Sequence, residues 1–222
     1  MGMNKILAML ATVTSLLLFI SMANAAEITI MRDDFDSPYL QPTDWVVNFS
    51  AGANVYVDTA NSSLNLVTIP NIGIGTAVVM GTKQFSVSTG DLIFRSRILD
   101  SYVDQGIYGD AQPRGLVAGA DRNNAIEFIN GYPVPNTVIC RTVTNGVATS
   151  TSVNIGQSVR SPAVYQIIAN SEEVRFFING REVAIHMAHI PNVPLNVYFS
   201  TGDSGAGNVP MTIDYVSFER IK

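Results

Sequence analysis

An all-β fold, a sandwich or a barrel, is what this sequence predicts, and three observations predict it. No segment beyond residue 25 holds a 3.6-residue apolar period for long. Short apolar or alternating runs recur instead, bounded by Gly, Pro, Asn, Asp and Ser. Two of the Asn-Gly pairs, Asn145-Gly146 and Asn179-Gly180, sit tightly between such runs. That pair accepts positive φ at both centres of a type I′ turn, whose twist matches the flanking strands.

Taken in order, the runs predict strands at 27–31, 45–49, 54–57, 64–67, 77–80, 92–99, 115–120, 125–129, 138–143, 147–153, 164–169, 174–178, 182–186, 195–199 and 211–218. Pieces this short cannot stand alone, so they must pair into sheets that bury their apolar faces. Pro191 and Pro194 bracket the connector before 195–199, and the glycine-rich stretch 203–208 precedes the last strand. The segment 100–114 reads as a long polar loop, carrying Tyr102, Gln105, Tyr108, Asp110, Gln112 and Arg114 among glycines. Loops of that length inside a domain often carry function.

The first residues carry an address. Lys5 gives a positive start, the apolar run 6–20 follows, and Ala23-Asn24-Ala25 offers a small-x-small cleavage site. The apolar core is short for a membrane span. Residues 1–25 are therefore expected to be a signal peptide, with 26–222 forming one secreted or periplasmic domain whose mature chain does not insert in a membrane. Roughly two hundred residues suffice for a single all-β core.

Net charge is −5, and lysine occurs only at 5, 83 and 222. An acidic chain without a basic cluster argues against nucleic acid and anionic membranes as partners. Cys140 is the one cysteine, so no disulfide forms within the chain. It sits in a strand-like run, Val138-Ile139-Cys140-Arg141-Thr142-Val143, and reads as a small core hydrophobe. His186 and His189 are three positions apart, which on an extended strand sends them to opposite faces. A shared metal is not expected of them, and no nucleophile elbow or phosphate-binding glycine loop is present. Asn48-Phe49-Ser50 and Asn61-Ser62-Ser63 match the glycosylation acceptor pattern by chance in a bacterial-type export context.

Several segments together resemble the concanavalin A-like domains of secreted proteins. Asp33-Asp34-Phe35-Asp36, Trp45 and Ser63-Leu64-Asn65-Leu66 are similar to the opening of that family. Gly115-Leu116-Val117-Ala118-Gly119, Ala125-Ile126-Glu127-Phe128, Val164-Tyr165-Gln166-Ile167, the run from Val174 to Gly180 and Ile213-Asp214-Tyr215-Val216 follow in its order. The resemblance covers nearly all of the chain after residue 25. It implies a two-sheet antiparallel jelly-roll sandwich with a concave face that often holds a glycan. It also implies a structural Ca²⁺ where first and last strands meet, with Asp214 and Asp34 or Asp36 as ligands, oxygen donors that suit that ion.

The same resemblance sets tests for catalysis. Laminarinase-like members carry an E-x-D-x-x-E strand whose carboxylates project on one face, at the roughly 5–5.5 Å separation that retention requires. Here Glu127 is followed at same-face positions by Ile129 and Gly131, and Asp121 is too far along the chain to replace the missing acid. Alginate-lyase relatives use an arginine strand, a Gln-x-His strand and a late tyrosine. Arg95 and Arg97 share a strand face and could fork onto a uronate. The Gln-x-His is absent, and no lysine follows Tyr198 in Phe199-Ser200-Thr201. Three functions remain to be weighed. The first is a secreted, non-catalytic, lectin-like glycan binder using Arg95, Arg97, Tyr102, Tyr108, Glu127 and Tyr132, aromatic rings stacking on sugar faces and polar groups meeting hydroxyls. The second is a divergent glycoside hydrolase or polysaccharide lyase. The third is a cell-surface assembly protein.

Overall fold

The computed structural model describes residues 27–68, 76–101, 104–108, 123–130, 136–156, 161–202 and 210–221. The expected signal peptide, the strand expected at 115–120 and the glycine-rich stretch 203–208 lie outside them.

The strands are β1 (Glu27–Asp33), β2 (Trp45–Phe49), β3 (Ala53–Asp58), β4 (Ser63–Thr68), β5 (Thr76–Gly81), β6 (Asp91–Ser101), β7 (Asp104–Tyr108), β8 (Ala125–Asn130), β9 (Thr137–Thr144), β10 (Val147–Asn154), β11 (Ala163–Ala169), β12 (Val174–Ile178), β13 (Arg181–His186), β14 (Asn196–Gly202) and β15 (Met211–Ile221). They form two antiparallel sheets. Sheet A runs β13-β12-β11-β6-β15-β4-β3, with β1 also paired to β15; sheet B runs β10-β9-β8-β7-β14-β5-β2. Among the described residues no helix is long and apolar enough to cross a membrane.

Both Asn-Gly turns form as the sequence predicts. Asn145 and Gly146 have φ of 50° and 79°, and Asn179 and Gly180 have 51° and 76°. β11 shows the alternation that places a strand on a core: Ala163, Tyr165, Ile167 and Ala169 are buried while Val164, Gln166 and Ile168 are half-buried. Between the sheets, Phe128 of β8 meets Tyr165 and Phe176 of sheet A edge to face, at centroid distances of 5.1 and 5.3 Å. Such contacts add about 0.5–1.5 kcal/mol each beyond area burial.

The opening motif has a physical reason. Asp33 accepts from the Phe35 backbone N–H at 2.8 Å and from Trp45 Nε1 at 2.7 Å. One carboxylate thus ties the strand end to both aromatic anchors, and it holds Phe35 at a φ of 53° with its ring buried against Trp45. Left-handed backbone at a bulky residue is costly and persists only where the surroundings fix it.

The expected loop at 100–114 is corrected in part, because β7 forms inside it. Asp104-Gln105-Gly106-Ile107-Tyr108 lacks a strong strand pattern of its own. It is a strand because β8 and β14 supply ladders on both of its sides.

Candidate functional site

The sheet B registers set Ser150, Arg141, Glu127, Gly106, Tyr198 and Met80 opposite one another in a row across β10, β9, β8, β7, β14 and β5. Directly opposed residues of antiparallel strands share a face. Their sequence neighbours Ile126, Phe128, Cys140 and Phe199 belong to the core, so the row lies on the outer face of sheet B.

Glu127 anchors this row and has no exposed surface. Arg141 Nε donates to Glu127 Oε1 at 2.6 Å, and its Nη2 closes on the same oxygen. The Tyr198 hydroxyl donates to Oε2. Tyr198 and Glu127 stand two strands apart with Gly106 between them. Charge-assisted contacts of this kind are about twice as strong as neutral hydrogen bonds. Only the arginine reaches solvent appreciably: its side chain is 22% exposed against 0% for Glu127, and Tyr198 is buried. Ser150 and Ser152 are exposed on the same face of β10.

The ligand set read from the sequence is divided by the structure. Leu92, Phe94 and Ile98 of β6 enter the core, so Arg95 and Arg97 face outward from sheet A, on the side of the sandwich away from Glu127. Each arginine is already engaged. Arg95 donates to Gln166 at 2.9 Å and to Glu219 at 2.8 Å, and Arg97 donates to Asp214 at 2.8 Å. Tyr108 holds a register position opposite Ala125 and Asn196; its side chain, and Tyr102 and Tyr132 altogether, lie outside the described residues.

Two of the three carboxylates offered to calcium meet arginine as well. Asp214, a bulge residue of β15, pairs with Arg97, and Asp34 pairs with Arg32 at 2.9 Å, while Asp36 is exposed. No group of three or more His, Cys, Asp or Glu side chains that could hold a metal gathers among the described residues.

The remaining reactive groups are structural. Cys140 is buried in the core, and burial pushes its thiol up to about 12. His186 closes β13, buried, with its ring nitrogens 3.1 Å from Thr142 Oγ1 and 3.0 Å from Thr151 Oγ1. Thr142 donates its hydroxyl hydrogen to the Ala188 carbonyl, which assigns the His186 proton to Nδ1. His189 does not share an extended strand with it: the strand ends at His186, and His189 turns at a φ of 56° to meet Thr149 at 2.8 Å. The opposite-face expectation fails there, and both rings meet threonine hydroxyls.

Arg141 is the residue that sequence reasoning passed over. Its signal was a lone charge among Ile139, Cys140, Thr142 and Val143. The Asn145-Gly146 turn fixes the register of β9 on β10, but nothing in the sequence pairs β9 with β8, and so nothing joined Arg141 to Glu127.

No protein-family model matches this sequence, and no curated protein matches it. Solved structures do match its fold. Bacillus licheniformis β-glucanase is 13% identical with a TM-score of 0.65, over 85% of this chain and 96% of that one. A β-1,3-1,4-glucanase (lichenase) from a mouse hindgut metagenome is 16% identical with a TM-score of 0.64, over 86% and 99%. A pseudo β-1,3-glucanase and immunostimulatory antigen of Mycobacterium tuberculosis is 16% identical with a TM-score of 0.62, over 87% and 99%. At such identities the likeness is one of fold, and the fold is the concanavalin A-like jelly-roll sandwich that these glucanases share.

Proposed function

We propose that this protein is an exported, non-catalytic glycan-binding protein that presents the outer face of sheet B to its ligand. The observation that carries the reading is the state of Glu127. The carboxylate is fully buried, and Arg141 and Tyr198 grip both its oxygens. Hydrolysis with retention needs a second carboxyl group about 5–5.5 Å away, and β8 offers Ile129 at its next same-face position. Glu127 therefore acts as a positioning residue. It orients Arg141, whose side chain is 22% exposed and stands opposite Ser150 of β10, beside hydroxyls that form a neutral hydrogen-bonding surface suited to sugar hydroxyls. The glucanase names of the structural neighbours support a carbohydrate ligand. They also support the alternative, a divergent glycoside hydrolase or polysaccharide lyase.

The test is affinity electrophoresis and titration calorimetry on neutral and uronate polysaccharides, with reducing-end and unsaturated-uronate assays on the same mixtures. The expected result is saturable binding without product. Arg141→Gln weakens binding roughly tenfold, about the loss of one charge-assisted contact. Absence of binding to every polysaccharide overturns the reading. Product formation abolished by Glu127→Gln selects the enzyme instead.

A further inference from the structure

Five strands have a free side among the described residues, and four of them carry devices that discourage pairing with another chain. β1, paired only with β15, bears Glu27, Arg32 and Asp33 and a register shift against it. β13 bears Arg181 and Glu182 and a register shift against β12. β2 is five residues long. β3 ends on Asp58. Charge, bulges and shortness are the usual protections of a free edge.

β10 has none of these. It is eight residues long, Val147-Ala148-Thr149-Ser150-Thr151-Ser152-Val153-Asn154, without charge or proline. It keeps unbroken register with β9 along its whole length. No strand among the described residues pairs with its other side.

Two further properties of β10 coincide. The first is the direction of its backbone groups. Thr144 and Val147 flank a two-residue turn, so they form a hydrogen-bonded pair, and alternate residues from Val147 onward bond to β9. The N–H and C=O groups of Ala148, Ser150 and Ser152 therefore face the free edge. The second is the sequence. Read outward from Ser150 in both directions, β10 gives Thr149 and Thr151, then Ala148 and Ser152, then Val147 and Val153. The strand is nearly palindromic, and the centre of the palindrome is one of the edge-facing residues.

We propose that β10 is a self-pairing edge, docking antiparallel on β10 of a second copy of this chain about a two-fold axis through Ser150. Ser150 then forms a hydrogen-bonded pair with its own counterpart, and Ala148 does so with Ser152 of the second copy. Val147, 55% exposed in the single chain, comes to lie opposite Val153, and Thr149 opposite Thr151. Such β-branched and Thr–Thr pairs are favourable, and no like charges meet. The contact is isologous and closes on itself, giving a dimer and not a fibre. The edge is held in place beforehand, because buried His186 bonds Thr151 and exposed His189 bonds Thr149. The two sheets B become one, which sets both copies of Arg141 on a shared face and makes any ligand contact bivalent.

Analytical ultracentrifugation of the purified protein, without glycan and over a dilution series, tests this. A reversible dimer is expected. Ser150→Pro removes an N–H that β9 does not use, a substitution tolerated on the solvent side of an edge strand. Ser150→Lys and Ser152→Lys place charge at or beside the axis. Each should weaken the dimer by roughly tenfold or more while retaining the melting temperature read from Trp45 fluorescence. Glu182→Ala, on the opposite free edge of sheet A, should leave the dimer unchanged. A wild-type protein that sediments as a monomer up to millimolar concentration overturns the proposal. So does a dimer that survives in folded Ser150→Lys and Ser152→Lys proteins.

Discussion

The outer faces of the two sheets use the same pair of chemical groups to opposite effect. On sheet A, Arg97 meets Asp214 in a pair whose side chains are 47% and 26% exposed. On sheet B, Arg141 meets a Glu127 that has lost all contact with water. Water screens the first kind of pair, and the side chains give up rotational freedom to hold it, so its net worth is small. The second kind cannot be released piecemeal, because either partner alone would be a stranded charge in a poorly solvated place. The lesson concerns where specificity can reside. Sheet A presents in Arg97 an arginine that is individually replaceable, whereas sheet B presents one whose direction is set by groups behind it.

The sharpest way to break this contrast is to remove one member of the buried pair. Arg141→Met keeps the volume and strands Glu127, and the expected loss is about 3–5 kcal/mol of unfolding free energy. Urea denaturation followed by Trp45 fluorescence measures it. Adding Glu127→Gln removes the charge that was stranded and should recover most of the loss, because neutral or apolar replacements of a whole buried pair are often tolerated. A double variant no more stable than Arg141→Met would mean that packing, and not the unpaired charge, sets the cost.

The contrast also explains what could be read from the sequence. Fourteen strands were legible within a few residues wherever they fall among the described residues, because each is a short alternating or apolar run with punctuation at its ends. The two I′ turns were legible because Asn-Gly is tied to one backbone geometry. β7 was not, since its order comes from neighbours on both sides and not from its own side chains. Arg95 and Arg97 stood out because they share one strand face two residues apart. Arg141, Glu127 and Tyr198 lie on three strands whose adjacency is a tertiary fact. Local pattern can mark a carboxylate on a strand, but it cannot say which arginine and which phenol will close over it.

A smaller effect is expected at the seam where the sheets meet, from a buried group that titrates. Burial lowers the pKa of His186 below its ordinary value of 6.5, and its ring is held between two threonine hydroxyls and beside Phe176 at 5.0 Å. The folded state thus favours the neutral ring. Its contribution is fully present above the unfolded value and is lost as pH falls through about 6.5, since the unfolded chain then binds a proton that the native site resists. Melting temperature should fall between about pH 7 and pH 5, and His186→Gln should be less stable at neutral pH yet flatter across that interval. An unchanged slope in the variant would assign the pH dependence to other groups.

The smallest effect belongs to the exposed pair on sheet A. Arg97→Ala or Asp214→Ala should cost only about 0.2–1 kcal/mol, with the difference fading as salt is raised. The comparison with Arg141→Met is informative because the bond lengths alone do not separate the two sites: Arg97 donates at 2.8 Å and Arg141 at 2.6 Å. If geometry governed stability, the two substitutions would cost similar amounts. Desolvation predicts that they differ several-fold, because only Glu127 has no route back to water when its partner is removed. Asp214 retains 26% of its side-chain surface, and a carboxylate with that much access is rehydrated once the guanidinium is gone. A loss at Arg97 as large as that at Arg141 would show that the bulge carrying Asp214 depends on this contact for its backbone conformation, and would place a second rigid site on the face that otherwise reads as replaceable.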